Sequence, residues 1–151
     1  MSYHFPLSPV LWLRGTAEER EERLLQNIHQ EIALTAEQLN TATAEIAASE
    51  AGRGSEVARH CSGIHLHTWY EHLEELRQRR KELEERMEKL EELRAKQMIA
   101  YQAARRDREM LDELHNQKRA AYEADAARRE QSRLDDTFGA QYARGLRGGV
   151  K

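Results

Sequence analysis

Of the 151 residues only two are Pro, only one is Cys and only 6% are aromatic, and the eight Gly fall outside most of the chain's length. A single thiol, Cys61, excludes an internal disulfide framework and fits a reducing compartment. No run approaches the ~20 apolar residues of a membrane-spanning helix, and the opening SYHFPLSPVLWLRG lacks the basic start and small-residue cleavage site of a secretory signal. Phosphate-cradling GxxxxGK, HExxH and a nucleophile elbow are likewise missing. The expectation is a cytoplasmic protein that is not an enzyme and carries no cofactor.

No charge of one sign dominates. The formal net charge is −3, with 3 basic and 8 acidic side chains in residues 1–50, 10 of each in 51–100, and 11 basic and 9 acidic in 101–151. Interleaved acids break up any basic stripe, which argues against nucleic acid as a partner.

What is abundant is Ala, Glu, Leu, Arg and Gln, with 34% charged residues, the composition of a long helix or coiled coil. From Gln97 to Arg144 the only breaker is Gly139. Ser8-Pro9 is a helix start, with Ser8 as cap and Pro9 at the first helical position. Thr16 and Glu19 have the spacing of a capping box, a second start signal, and one helix with a kink at Gly15 accommodates both. Leu25, Ile28, Ile32, Thr35, Leu39, Ala42 and Ile46 then recur in steps of three and four, the heptad stripe of a seam between two helices. Thr35 and Ala42 add little apolar area, so this helix depends on a partner.

Gly52, Gly54 and Gly63 with Ser55 and Ser62 place the reversal at about 51–65. Beyond it Trp69, Leu73, Leu76, Arg80, Leu83, Met87 and Leu90 repeat the stripe, which moves on through Leu93 and Tyr101 to Leu111 and Leu114. Arg80, Gln97 and Lys118 on or beside it suit an exposed seam. The spacing predicts an all-α fold: one antiparallel two-helix coiled-coil hairpin, long and extended, with helices at about 9–50 and 66–138 and a flexible tail at 139–151. Equal rise on both helices puts Glu50 near Leu66 and Leu11 opposite residues 102–106. Some 30 further residues of the second helix then overhang the first by about 45 Å.

His60, Cys61, His65, His67 and His72 lie within thirteen residues, but positions two apart point to opposite sides of a helix, so no metal site is assigned.

Two stretches resemble the FliJ family of flagellar type III export proteins: the opening FPLSPVLWLRG, and RDREMLDELHNQKRAAYEADAARREQSRLDDTF near the end. The closing signature is carried by Arg105, Leu111, Leu114, Tyr122, Arg128, Arg129, Gln131, Leu134, Asp135 and Asp136; Asp136 stands where Glu is commoner. The resemblance implies a non-enzymatic stalk that enters the ring of the export ATPase and promotes its assembly and activity. It further implies a link to the membrane export gate, an escort role for export chaperones, and a peripheral place at the inner membrane without insertion. The isolated chain is expected to be monomeric. On this footing Arg105, Arg106, Arg128, Arg129, Gln131, Arg133, Asp135 and Asp136 are the residues expected to meet the ring. The plainer reading is that these arginines pair along their own helix with neighbours such as Glu109 and Asp125. Similarly Trp69, Tyr70, Leu73 and Leu76 are expected at the gate, or else Trp69, Leu73 and Leu76 close the seam against Leu39, Ala42 and Ile46 while Tyr70 stays off it. A stalk from a virulence secretion system, or a scaffold dimerising through Leu111, Leu114 and Tyr122, also matches this pattern.

Overall fold

The computed structural model describes residues 3–60 and 62–148. Among them there are two elements, α1 (Ser8–Ala58, 51 residues) and α2 (Gly63–Gly148, 86 residues), and no strand. The fold is an all-α helical hairpin. Two compact units divide it, one formed by Ala17–Ala104 and the other by Met1–Thr16 with Arg105–Lys151.

In the first unit the heptad stripes meet. Leu25, Ala42 and Ile46 of α1 and Leu73, Leu76, Leu83 and Leu90 of α2 are all buried, and Ile28, Ile32, Leu39, Trp69, Arg80 and Met87 lie half-buried along the same track. Thr35, at 1% exposure, is the most enclosed side chain of all; its hydroxyl donates to the Glu31 carbonyl at 2.8 Å. On α1 the seam positions that offered least apolar area, Thr35 and Ala42, are thus the most buried, because small side chains let two helix backbones approach and leave no room for water. Leu93 departs from expectation. It is 49% exposed, and the seam passes instead through Gln97, whose amide donates to the Glu21 carbonyl at 3.1 Å and to the Glu21 carboxylate. A polar residue is stable there because both of its contacts are hydrogen bonds.

The helix bounds also differ from the glycine-based expectation. Helix α1 passes through Gly15, Gly52 and Gly54, eight residues beyond Glu50, and α2 continues through Gly139 to Gly148 where a flexible tail from 139 was expected. Residues 149–151 of that tail, like Cys61, lie outside the described residues. Glycine costs only about 1 kcal/mol in a helix relative to alanine, which an already propagating helix absorbs. The left-handed residue at the reversal is His60, with φ of 56°, and no glycine among the described residues has positive φ. The amide of His60 donates to the Val57 carbonyl at 3.3 Å, and that of Leu66 to the Ser62 carbonyl at 3.2 Å. A reversal at 59–62 moves the pairing along α2. Glu50 accordingly meets Arg77 at 3.1 Å and the Ser49 carbonyl accepts from Trp69 Nε1 at 3.1 Å, well past Leu66. Since a Cβ at Gly54 meets nothing within 4 Å, Gly54→Ala is expected to stabilise the hairpin by up to about 1 kcal/mol, read as a melting midpoint raised by a few degrees.

In the second unit, residues 3–16 pack on α2. Phe5-Pro6-Leu7-Ser8 is a turn closed by the Ser8 amide on the Phe5 carbonyl at 3.1 Å, with Pro6 in the position its fixed φ favours. The Leu11 amide donates to the Leu7 carbonyl at 2.9 Å, so Leu7 and not Ser8 is the capping position. Thr16 forms no capping box, its hydroxyl donating to the Trp12 carbonyl at 3.0 Å.

Candidate partner-binding sites

Phe5, 4% exposed, anchors the N-terminal segment. Its ring centroid lies 4.7 Å from that of His115, while Tyr3 lies 5.7 Å from His115 and 5.4 Å from Tyr122. One turn into α1, Arg14 pairs with Asp107 at 3.1 Å, and Val10 and Arg14 share a cleft with Asp107, Met110, Leu111 and Leu114. Leu11 therefore sits level with residues near 107–111, not 102–106. Residues before the helix also reach along α2, because three non-helical residues and a turn precede Ser8. Leu111, Leu114 and Tyr122 are half-buried.

Beyond Tyr122 the helix changes character: every residue from Glu123 to Arg147 is exposed. Among them Leu134, Phe138, Tyr142 and Leu146, at 45%, 66%, 72% and 60% exposure, follow one another every four residues, which keeps them on neighbouring faces of the helix. Sequence reasoning passed over Tyr142 and Leu146, having placed a tail there, and Phe138, the last residue of its expected helix; the four-residue spacing was the available signal.

The residues expected at a ring divide into two groups. Arg105 pairs with Glu109 at 2.7 Å, Arg128 with Asp125 at 3.5 Å, and the Gln131 amide donates to Asp135 at 3.1 Å. These obey the plainer reading of i,i+3 and i,i+4 partners. Arg106, Arg129, Arg133 and Asp136 are exposed and have no side-chain partner among the described residues. The hydrogen bond from Arg105, opposed by some desolvation and aided by the charges of Arg105 and Arg108, holds the Glu109 carboxyl below the ordinary carboxylate range. A depressed carboxylate contributes at neutral pH, and its contribution fades as pH falls through the lowered midpoint. Arg105→Gln is expected to move that midpoint up toward the ordinary glutamate value, followed by carboxylate NMR across an acid titration.

The residues expected at a gate also divide. Leu73, 2% exposed, and Leu76, 7% exposed, are packed with Ile46 in the seam, with Trp69 against them. In the closed hairpin those two leucines are not available to a partner. Tyr70 is 49% exposed and meets Trp69 edge to face at 5.0 Å. Arg53, which sequence reasoning did not single out, lies over both rings. The histidines near the reversal make local contacts, His65 with Ser62 at 3.4 Å and His67 with Glu71 at 3.2 Å. No group of three or more metal-ligating side chains is assembled among the described residues.

The described residues thus combine paired helices, a helical stretch exposed from Glu123 to Arg147 and an aromatic corner at Trp69 and Tyr70. No helix among the described residues is long and apolar enough to cross a membrane. A family model described as Flagellar FliJ protein matches residues 3–147, and the chain belongs to that family. Membership makes it a structural component of flagellar type III export. No curated protein and no solved structure matches the chain.

Proposed function

We propose that the chain is a non-enzymatic, stalk-like subunit that binds the ring of the flagellar export ATPase through α2 beyond Tyr122 and promotes the ring's assembly and activity. In this reading it works in the cytoplasm, couples the ring to the membrane export gate through the corner around Tyr70, and escorts export chaperones. The observation that carries the reading is the unbroken exposure of Glu123–Arg147. A helix that leaves Phe138 and Tyr142 in water is one whose apolar surface is reserved for a partner.

Charge supports the same assignment. Met1–Thr16 with Arg105–Lys151 carries 12 cationic and 9 acidic side chains, net +3, and Arg106, Arg129 and Arg133 are free of internal pairs among the described residues. Beyond Tyr122 it is Arg129 and Arg133 that suit acidic loops lining a pore, where unpaired guanidinium groups gain hydrogen bonds without first breaking others. The test is capture of the export ATPase by the full chain and by a chain ending at Tyr122. Capture by the full chain alone supports the reading; equal capture by both overturns it.

A further inference from the structure

At the reversal end of the hairpin, the guanidinium carbon of Arg53 lies 5.5 Å from the ring centroid of Trp69 and 5.5 Å from that of Tyr70. The two rings meet edge to face at 5.0 Å, and the corner they open toward Arg53 is a slot for a guanidinium or ammonium group. Arg53 is a weakly held occupant. No carboxylate pairs with it among the described residues, and it stands between Gly52 and Gly54, where a Cβ meets nothing within 4 Å. Packing does not demand glycine there, and each one lowers the stability of these last turns of α1 by about 1 kcal/mol relative to alanine.

The face of α2 next to the slot is acidic. Glu71, Glu74, Glu75 and Glu82, with Gln78, surround a shallow depression in which Arg79 is the lone cation. Tyr70 and Glu74 are one turn apart, so slot and acids form one continuous surface. Glu71 meets His67 at 3.2 Å, Glu74 meets Arg77 at 3.7 Å and Glu82 accepts from the Gln78 amide at 3.2 Å, so of these partners only Arg77 is a permanent cation. The unit Ala17–Ala104 as a whole carries 18 acidic against 12 cationic side chains, net −6. That balance repels anionic lipid and nucleic acid and attracts a basic polypeptide.

We infer that this face is a docking surface for an arginine-bearing helix of a partner protein, one of whose guanidinium groups displaces Arg53 from over the Trp69 and Tyr70 rings. The inference rests on the reading of the Tyr70 corner as partner-facing and adds the partner's chemistry and a built-in competitor. Arg53 keeps the aromatic slot filled until a better-anchored cation arrives.

The test uses the full chain carrying Trp12→Phe, which leaves Trp69 as the single indole. The probe is a synthetic alanine-rich helical peptide of about 20 residues with arginine along one face, compared with the same peptide bearing glutamate instead. A saturable change in Trp69 emission with the arginine peptide alone, weakened by salt, is expected. Arg53→Gln should tighten binding by about threefold. Tyr70→Ala, and Glu71→Gln with Glu74→Gln and Glu75→Gln together, should each weaken it by about tenfold, with circular dichroism confirming that every variant keeps its helix. No saturable response, an equal response to both peptides, or an unchanged affinity in Arg53→Gln overturns the inference. Capture of the export-gate protein separates the two levels. If Tyr70→Ala abolishes capture while the Arg53 and glutamate variants leave it unaltered, the gate reading stands and the inference falls. If the gate protein is never captured but the peptide behaves as described, the gate reading falls and the inference stands.

Discussion

A chain ending at Tyr122 is expected to bind the export ATPase at least tenfold more weakly than the full chain, a loss of about 1.4 kcal/mol or more. The magnitude follows from Phe138 and Tyr142, since buried aromatic anchors commonly contribute about 2 kcal/mol each to an interface. Helical structure upstream should survive the cut. The contacts that hold residues 3–16, namely Phe5 on His115, Tyr3 on His115 and Tyr122, and Arg14 on Asp107, all lie at or before Tyr122. Beyond it, Asp125, Gln131 and Thr137 bond only within their own helix. Equilibrium binding to the purified ATPase, with thermal melts of both chains, checks the prediction. An unchanged dissociation constant sinks it, and an unchanged melt beside a lost affinity shows that the arm binds and does not merely stabilise.

Leu73→Ala should destabilise the hairpin by about 2 to 5 kcal/mol, the range for emptying a leucine site in a packed interior. Leu73 is 2% exposed and touches the cluster of Ile46, Leu76 and Trp69, so a cavity there cannot be refilled from solvent without wetting apolar walls. Chemical denaturation followed by circular dichroism measures the effect. Leu93→Ala is the control. Its side chain is 49% exposed, so a change within about 0.5 kcal/mol is expected. Equal losses at the two sites are incompatible with the seam described.

These expectations show where the sequence is legible. Periodicity is a local property, and the three-and-four spacing from Leu25 to Ile46 and from Trp69 to Leu90 identifies the buried track almost residue by residue. Arg105 with Glu109 and Arg128 with Asp125 are legible for the same reason, because their spacing along one helix brings them together. The passage past Leu93 is not. Local hydrophobicity favours Leu93 over Gln97 as the next seam residue, yet the seam passes through Gln97 because Glu21 on the other helix offers it a carbonyl and a carboxylate.

The same limit explains the reversal and the N-terminal segment. Glycine lowers helix stability by a fixed local amount, but whether a helix stops there depends on what the rest of the helix gains by continuing. Gly52 and Gly54 are carried through, and the chain turns at a left-handed His60. Phe5, buried on His115 some 110 residues away, belongs to no repeating pattern at all.

By itself, then, the sequence determined that this protein is two helices and which stripe of each is buried, since both follow from residue spacing on a helix of known pitch. Only the tertiary structure decided where within 51–65 the chain turns, how far α2 is covered and that Arg53 lies over Trp69 and Tyr70. Those outcomes depend on contacts between residues distant in the chain, whose free energies no local pattern records.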